Sequence, residues 1–178
     1  MQYINLQILE VGPDRGERRV VVASPQATEF GVFDGYKDGT NDIARPATSE
    51  WMEGKTIRTA LLATIDVEIH ETDTNEHGIL PNEADPTDYH DHQFIGTFRE
   101  CVGGSEVLSP VCLYDGIDPG ASGIPIATRE RSFGVFSVDG ADILINISDS
   151  NVSAEELHMS KDYRISATRT DVLGYVDT

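Results

Sequence analysis

The sequence predicts a mainly β protein, an antiparallel β-sandwich or barrel with one short helix and long loops. Residues 2–11 alternate apolar and polar side chains with a period of two, as a half-buried strand does. Short apolar segments then recur between turns rich in Gly, Pro and Asp, and only one segment carries a helix-start signal. The 178 residues fit one domain, so we expect a single β-rich domain over residues 1–178.

The chain begins with a predicted hairpin. Residues 2–11 form its first strand, which is suited to the edge of a sheet, and residues 18–23 (RRVVVA) form its second. The segment GPDRGE at 12–17 supplies the turn between them. Residues 25–50 predict an extended loop because they are rich in Pro, Gly, Asp and Thr. This loop encloses one apolar patch, EFGVFDG.

A long strand is predicted from Lys55 to His70, with regular alternation over its last six residues. Its first half, IRTALLA, fits a helix equally well. Residues 72–92 predict a second extended loop, and a loop of that length in a compact domain tends to be functional or to make contacts. Further strands are expected near 93–102, 105–114, 124–138 and 141–148, and in the last stretch from residue 162.

Two local motifs bear on the organisation of the chain. Ser153 precedes AEELHM, and Glu156 follows it by three residues, which predicts a short helix that begins with a capping box. The tetrapeptide FGVF occurs at residues 30–33 and again at 133–136. A match of four residues is too short to predict a repeat architecture.

The charge is the most unusual property of the sequence. Thirty-one acidic residues face thirteen basic ones, of which only Lys37, Lys55 and Lys161 are lysines. The formal charge of −18 far exceeds the magnitude of about 2–8 that suits a small domain. A compact domain this acidic repels itself in dilute buffer, whereas at 1 M salt the Debye length falls to about 3 Å. We therefore predict a protein of a salt-saturated cytoplasm.

The same charge argues against two classes of partner. Nucleic acid attracts basic stripes, and an anionic membrane surface attracts basic segments, so we expect contact with neither. No run approaches 18 apolar residues, so no membrane span is predicted. The first twelve residues lack the basic start of a signal peptide, and we expect synthesis in a cytoplasm at high salt.

The first metal candidate is the pair His90 and His92. Positions i and i+2 of a strand share a face, so both imidazoles can meet one ion, with Glu100 as a further ligand. A His-x-His followed by Glu resembles the first metal motif of the cupin family. The spacing departs from that motif, because Glu100 lies eight residues after His92 and no later strand offers a third histidine. The alternative interpretation is two solvated histidines at the end of a polar loop.

The second candidate is a cation site formed by Asp34, Asp38 and Asp42. With Gly39, they have the spacing of positions 1, 5, 9 and 6 of a calcium loop. Positions 3 and 12 of that loop are here Tyr and Arg, so the segment is not an EF-hand. We expect at most a weakly bound cation and no other cofactor. The alternative is a solvated, turn-rich loop.

Three residues have two possible roles each. For Cys101 and Cys112 we expect free thiols, because a cytoplasm is reducing, and a disulfide across a hairpin is the alternative. Trp51 is the single tryptophan. It either packs in the core or anchors contacts between subunits.

We predict a structural protein with no catalytic role, since no nucleophile-elbow or phosphate-loop motif is present in the sequence. In size, composition and β content the chain resembles small virion proteins of tailed viruses that infect haloarchaea. That resemblance implies a tail-tube, neck or capsid-decoration subunit in the virion. Its partners would be copies of itself in a ring or lattice, and other virion proteins. In a tail tube, residues 153–160 and 72–92 would supply a short helix and a loop that stacks onto the next ring. The alternative is a metal-dependent, cupin-like enzyme of a halophilic archaeon.

Overall fold

The described part of the chain is built almost wholly from strands. A computed structural model describes residues 2–13, 18–34, 36–37, 44–45, 50–74, 76–81, 92–103, 132–172 and 176–177. Its main sheet curls into a half-barrel, which confirms the predicted mainly β class. Helical residues in these ranges occur only as single 3₁₀ turns, at Glu50–Met52, Ile147–Asp149 and Ala154–Glu156.

Fifteen strands are described. Thirteen form the main sheet, and two short ones pair with each other. In chain order they are β1 (Ile4–Val11), β2 (Arg18–Ala23), β3 (Glu29–Asp34), β4 (Tyr36–Lys37), β5 (Ala44–Arg45), β6 (Thr56–Thr59), β7 (Leu61–Thr64), β8 (Glu68–Glu71), β9 (Gly78–Leu80), β10 (Gln93–Gly103), β11 (Ser132–Val138), β12 (Ala141–Asn146), β13 (Asp162–Ser166), β14 (Arg169–Val172) and β15 (Val176–Asp177).

The predicted N-terminal hairpin is confirmed, because β1 pairs antiparallel with β2. The expectation that β1 lies at the edge of the sheet is wrong. Its other side pairs with β6, with Ile4 opposite Thr59 and Leu6 opposite Ile57. Both rows of backbone groups on β1 are therefore already occupied by strands of the same chain.

Three other predicted elements differ from the structure. Residues 25–50 contain three strands, β3 to β5, where a loop was expected. The long strand from Lys55 to His70 is divided into β6, β7 and β8, and its first half is not helical. The second division falls at Ile65 and Asp66, which both have positive φ. Residues 72–92 include the strand β9, which pairs with β10.

The predicted helix after Ser153 is a single 3₁₀ turn, although its capping box is present. Six residues are too few to offset the cost of nucleating an α-helix. Instead Leu157 enters the core, and the backbone N–H of His158 donates to the hydroxyl of Tyr163 at 2.9 Å. The predicted strand at 105–114 and residues 124–131 lie outside the described residues.

The order of strands reads the same from both ends of the sheet. The path is β15-β6-β1-β2-β3-β14-β7-β12-β11-β10-β13-β8. Six strands form a first half: β1, β2, β3, β6, β7 and β8. The other six form a second half: β10, β11, β12, β13, β14 and β15. When the two sets are exchanged one for one, the result is the same path read from its other end. Every pairing along this path also keeps its direction under that exchange. For example, β3 runs parallel to β14, and β12 runs parallel to β7. Only β9, which pairs with β10 off this path, has no counterpart among the described strands of the main sheet. The main sheet is therefore built from two copies of one strand plan.

Irregularities in the ladders support this relation. Each half has one β-bulge in its first hairpin, between Ile8 and Glu10 in β1 and between Phe98 and Glu100 in β10. When the pairings are followed outward from the bulges, the equivalent residues are Ile4 and Phe94, Leu6 and Gly96, Ile8 and Phe98, Val20 and Gly134, Val22 and Phe136, Phe30 and Ile143, and Arg58 and Arg164.

The halves are interlocked. The strand β3 of the first half pairs with β14 of the second half, and β12 of the second half pairs with β7 of the first half. At the centre, β7 and β14 pair antiparallel, with Thr64 opposite Arg169. One continuous hydrophobic cluster takes side chains from both halves, including Leu6, Phe30, Phe98 and Ile143. No helix among the described residues is long and apolar enough to cross a membrane.

Polar side chains also hold separate parts of the sheet together. Buried Asp142 accepts hydrogen bonds from the backbone N–H of Gln2 and from the guanidinium of Arg99. The hydrogen bond to Asp142 raises the pKa of Arg99, which keeps it charged. On β8, the side-chain amide of Asn151 bonds both the N–H and the C=O of Ile69, and so it takes the place of a strand residue at that edge.

Candidate functional site

Two of the predicted metal ligands are buried in the structure, and three lie outside the described residues. Asp34, at the end of β3, has no exposed surface, and His92, just before β10, is 3% exposed. His90, Asp38 and Asp42 are not among the described residues. Within the described part of the chain, no three His, Cys, Asp or Glu side chains are placed to share an ion. The two predicted cation sites therefore stay predictions.

His92 is packed as a core residue. Its Nε2 lies 3.0 Å from the hydroxyl oxygen of Thr170 on β14. Its ring lies against Phe30 at 4.9 Å and against Phe94 at 5.1 Å between centroids. The interpretation of His92 as a solvated histidine at a loop end is therefore wrong.

Glu100 does not share an ion with His92. The two residues are separated by eight positions along β10, which extends from Gln93 to Gly103 with one bulge before Glu100. At about 3.3 Å per residue this separates them by about 26 Å. Glu100 is also exposed, whereas His92 is buried. The carboxylate that the cupin-like interpretation requires is not near the imidazole.

Three buried polar residues occupy positions whose equivalents are apolar. Asp34 stands opposite Arg18 in the β2–β3 ladder, and Thr59 and Thr170 are 0% and 3% exposed. From the pairings above, Asp34 is equivalent to Ile147, Thr59 to Ile165 and Thr170 to Ala63, and these three equivalents are buried. At each of these positions one half therefore carries a buried polar side chain where the other half carries an apolar one.

The described surface is strongly acidic. Of the eighteen Asp and Glu side chains whose exposure the structure describes, thirteen are exposed, against five exposed Lys and Arg side chains. The exposed carboxylates are those of Glu10, Glu29, Glu50, Glu53, Asp66, Glu68, Glu71, Asp73, Glu76, Glu100, Asp139, Glu155 and Glu156. Most of the carboxylates whose exposure is described therefore lie at the surface.

Trp51 projects from the 3₁₀ turn before β6 and is 62% exposed, so its placement in the core is excluded. The Nζ of Lys55 lies 4.7 Å from the centroid of its ring, a cation–π contact. We refer to Trp51 and Lys55 together as the Trp51 knob.

The turn beneath the Trp51 knob is firmly attached to β1. Met52 is buried in the core, and the backbone N–H of Gly54 donates to the C=O of Ile8 at 2.7 Å. The backbone N–H of Ile8 donates to the C=O of Lys55 at 2.8 Å, and that of Val11 donates to Glu53 Oε1 at 3.1 Å. An exposed aromatic ring is thereby held on a fixed backbone.

A polar cleft of about 320 Å³ lies where the chain leaves β8 and enters β13. We refer to it as the rim cleft. It is lined by Glu71, Thr72, Asp73, Ser160, Lys161 and Asp162. Lys161 pairs with Glu71 at 3.2 Å, and His77 Nε2 lies 2.9 Å from Asp162 Oδ1. Three carboxylates and one ammonium group line the rim cleft, so its lining is net acidic.

The Trp51 knob and the rim cleft occupy equivalent places in the two halves. Thr56 and Asp162 are equivalent in the ladders that β6 and β13 form with β1 and β10. The residues just before them, Lys55 and Lys161, are therefore equivalent too. Lys55 lies over an aromatic ring, and Lys161 pairs with a carboxylate. The lysine at this position is part of the Trp51 knob in the first half and lines the rim cleft in the second half.

Cys101 is a free thiol on β10. Burial, and after it the charge of Glu100, raises the pKa of this thiol. At neutral pH it is thus held in its unreactive, protonated form. Cys112 lies outside the described residues.

Comparison with known proteins finds no relative. No family model matches the chain, and neither a curated protein nor a solved structure matches it.

The sequence offered two alternatives for Trp51, packing in the core or contact between subunits. It did not predict the rim cleft. Its residues come from two segments about ninety positions apart that meet only through the β8–β13 ladder. One signal was present in the sequence: two of only three lysines stand immediately before strands of similar pattern.

Proposed function

We propose that this protein is a structural subunit of a virus particle from a high-salt environment, as a tail-tube, neck or capsid-decoration component. It acts by assembling with copies of itself in a ring or lattice, and with other virion proteins. The proposal rests first on the exposed carboxylates, thirteen against five exposed basic side chains in the described residues. Such a surface repels its own copies in dilute buffer and tolerates them when concentrated ions screen the charge.

The exposed apolar side chains give this proposal its second support. Trp51, Ile65 and Met159 are large and apolar, and they are exposed on an otherwise acidic surface. Aromatic residues and Met are enriched where protein surfaces meet. Ile65 also has a φ of 64°, which is a strained conformation for a β-branched residue.

The test is the molar mass of the purified protein by size-exclusion chromatography with light scattering. In 3 M salt we expect rings or polymers, and on dialysis to about 0.1 M salt we expect them to separate and the subunit to lose stability. A well-folded monomer with the same melting temperature in both buffers would refute the proposal. A monomer that retained one equivalent of transition metal would favour the cupin-like enzyme instead.

A further inference from the structure

We propose that the Trp51 knob of one copy docks into the rim cleft of the next copy. The inference rests on the proposed function, since it describes how an assembling subunit joins its neighbour. The contact is heterologous because two different surfaces meet. Heterologous contacts build rings when the rotation between copies closes and filaments when it does not.

The first argument is charge complementarity. Lys55 is one of five exposed basic side chains in the described residues. The rim cleft presents Glu71, Asp73 and Asp162. Glu71 pairs with Lys161, and Asp162 lies 2.9 Å from His77, so Asp73 is the carboxylate of the lining with no ion pair among these contacts. An ammonium group carried beside an aromatic ring can pair with that lining, whereas the carboxylates that dominate the described surface would repel the lining.

The second argument is size and rigidity. The rim cleft, at about 320 Å³, falls at the lower end of the range of about 300–1,000 Å³ for small-molecule pockets. It therefore suits a single projecting side chain and its neighbour. The knob is held by Met52 and by backbone bonds to Ile8, so little freedom is lost when it docks.

The third argument is the solvent. In molar salt, charges act only over about 3 Å, so long-range attraction between copies is lost. Burial of an indole ring does not depend on that attraction and is strengthened by excluded salts such as phosphate and sulfate. Trp51 would add a contribution to the affinity that salt does not screen, while Lys55 and the carboxylates fix the orientation through direct contact.

The closing experiment uses reversed charges in the full chain at 3 M salt. Lys55→Glu places a carboxylate against the acidic cleft, and Asp73→Lys places an ammonium against the basic knob. Each variant alone should assemble at least about tenfold more weakly than the wild type. Trp51→Ala should weaken assembly about thirtyfold or more, since a hot-spot aromatic contributes at least 2 kcal/mol.

An equimolar mixture of Lys55→Glu and Asp73→Lys should regain assembly. The acidic knob of the first variant then meets the basic cleft of the second, and the two remaining surfaces are wild type. Arg58→Glu and Glu100→Lys are the matched controls, because they make the same charge changes at exposed positions on β6 and β10. Both controls should assemble as the wild type does.

The possible results separate the inference from the proposed function. If the wild type is monomeric in 3 M salt, the proposed function fails and the inference fails with it. If the wild type assembles and the knob and cleft variants assemble equally well, only the inference is refuted. Failure of the mixture to regain assembly, with both controls normal, would also refute it. Far-ultraviolet circular dichroism of every variant shows whether the fold is kept.

Discussion

The two halves of the molecule share one strand plan but fill their interiors differently. In the first half, four equivalent inward positions carry aliphatic side chains: Leu6, Ile8, Val20 and Val22. In the second half, the same positions carry Gly96, Phe98, Gly134 and Phe136, and the two rings lie 4.8 Å apart between centroids. Two large rings beside two glycines replace four side chains of medium size. A strand plan can therefore persist while the volume within it is redistributed.

The halves also differ in polarity at single positions. Asp34 and Thr59 of the first half are buried where the second half has Ile147 and Ile165, and Thr170 of the second half is buried where the first half has Ala63. Buried polar groups destabilise a core unless they are hydrogen-bonded. The apolar equivalents show that the strand plan does not need a polar group at these positions. Each of these three polar side chains is thus specific to the half that carries it.

The most disruptive way to test this difference is to remove the buried carboxylate. Asp34→Leu should lower the free energy of unfolding by about 3–5 kcal/mol, because it leaves the buried groups that interact with the carboxylate without a partner. Equilibrium urea unfolding at high salt would measure the loss. Arg18→Leu in the same chain should recover part of it, since the guanidinium opposite Asp34 is then removed as well. Strictly additive losses would show that Arg18 and Asp34 do not interact.

The packing difference is tested at one equivalent pair, Leu6 and Gly96. A Cβ on Gly96 would lie 1.9 Å from the backbone oxygen of Ser137, so Gly96→Ala should cost about 3 kcal/mol as the strands are forced apart. Leu6→Ala should cost about 2–5 kcal/mol for the opposite reason, a cavity in the core. Unfolding under pressure separates the causes, because only the cavity variant gains void volume that unfolding eliminates. If Gly96→Ala were neutral, the close approach to Ser137 would not exist in solution.

Local patterns in the sequence were enough for the fold class. Alternation predicted β1, and the apolar run after the GPDRGE turn predicted β2. The capping box at Ser153 was recognised although the helix is only one turn. The repeat was not predictable, because most of the inward residues that correspond differ in size, as Leu6 and Gly96 do. The FGVF motif does not mark the repeat, since its two copies lie in β3 and β11, which are not equivalent strands.

The candidate sites were harder to predict than the fold. His92 follows a long polar run in the sequence, yet it lies between two phenylalanine rings. Its partner Thr170 is 78 positions away and reaches it only because β14 returns to pair with β3 and β7. Such contacts depend on the pairing of distant strands, and periodicity along the chain does not report that pairing.

The smallest effect is expected at the hydroxyl that His92 contacts. Thr170→Val keeps the shape of the side chain but removes the group 3.0 Å from Nε2, so we expect a loss of about 1–2 kcal/mol in the free energy of unfolding. Thr168→Val is the matched control, because Thr168 is exposed and its backbone N–H to Ile65 is unchanged. The equivalent residue is Ala63 of the first half, so an apolar side chain is compatible with the strand plan at this position. If Thr170→Val were as stable as the control, the hydroxyl would contribute nothing to the fold.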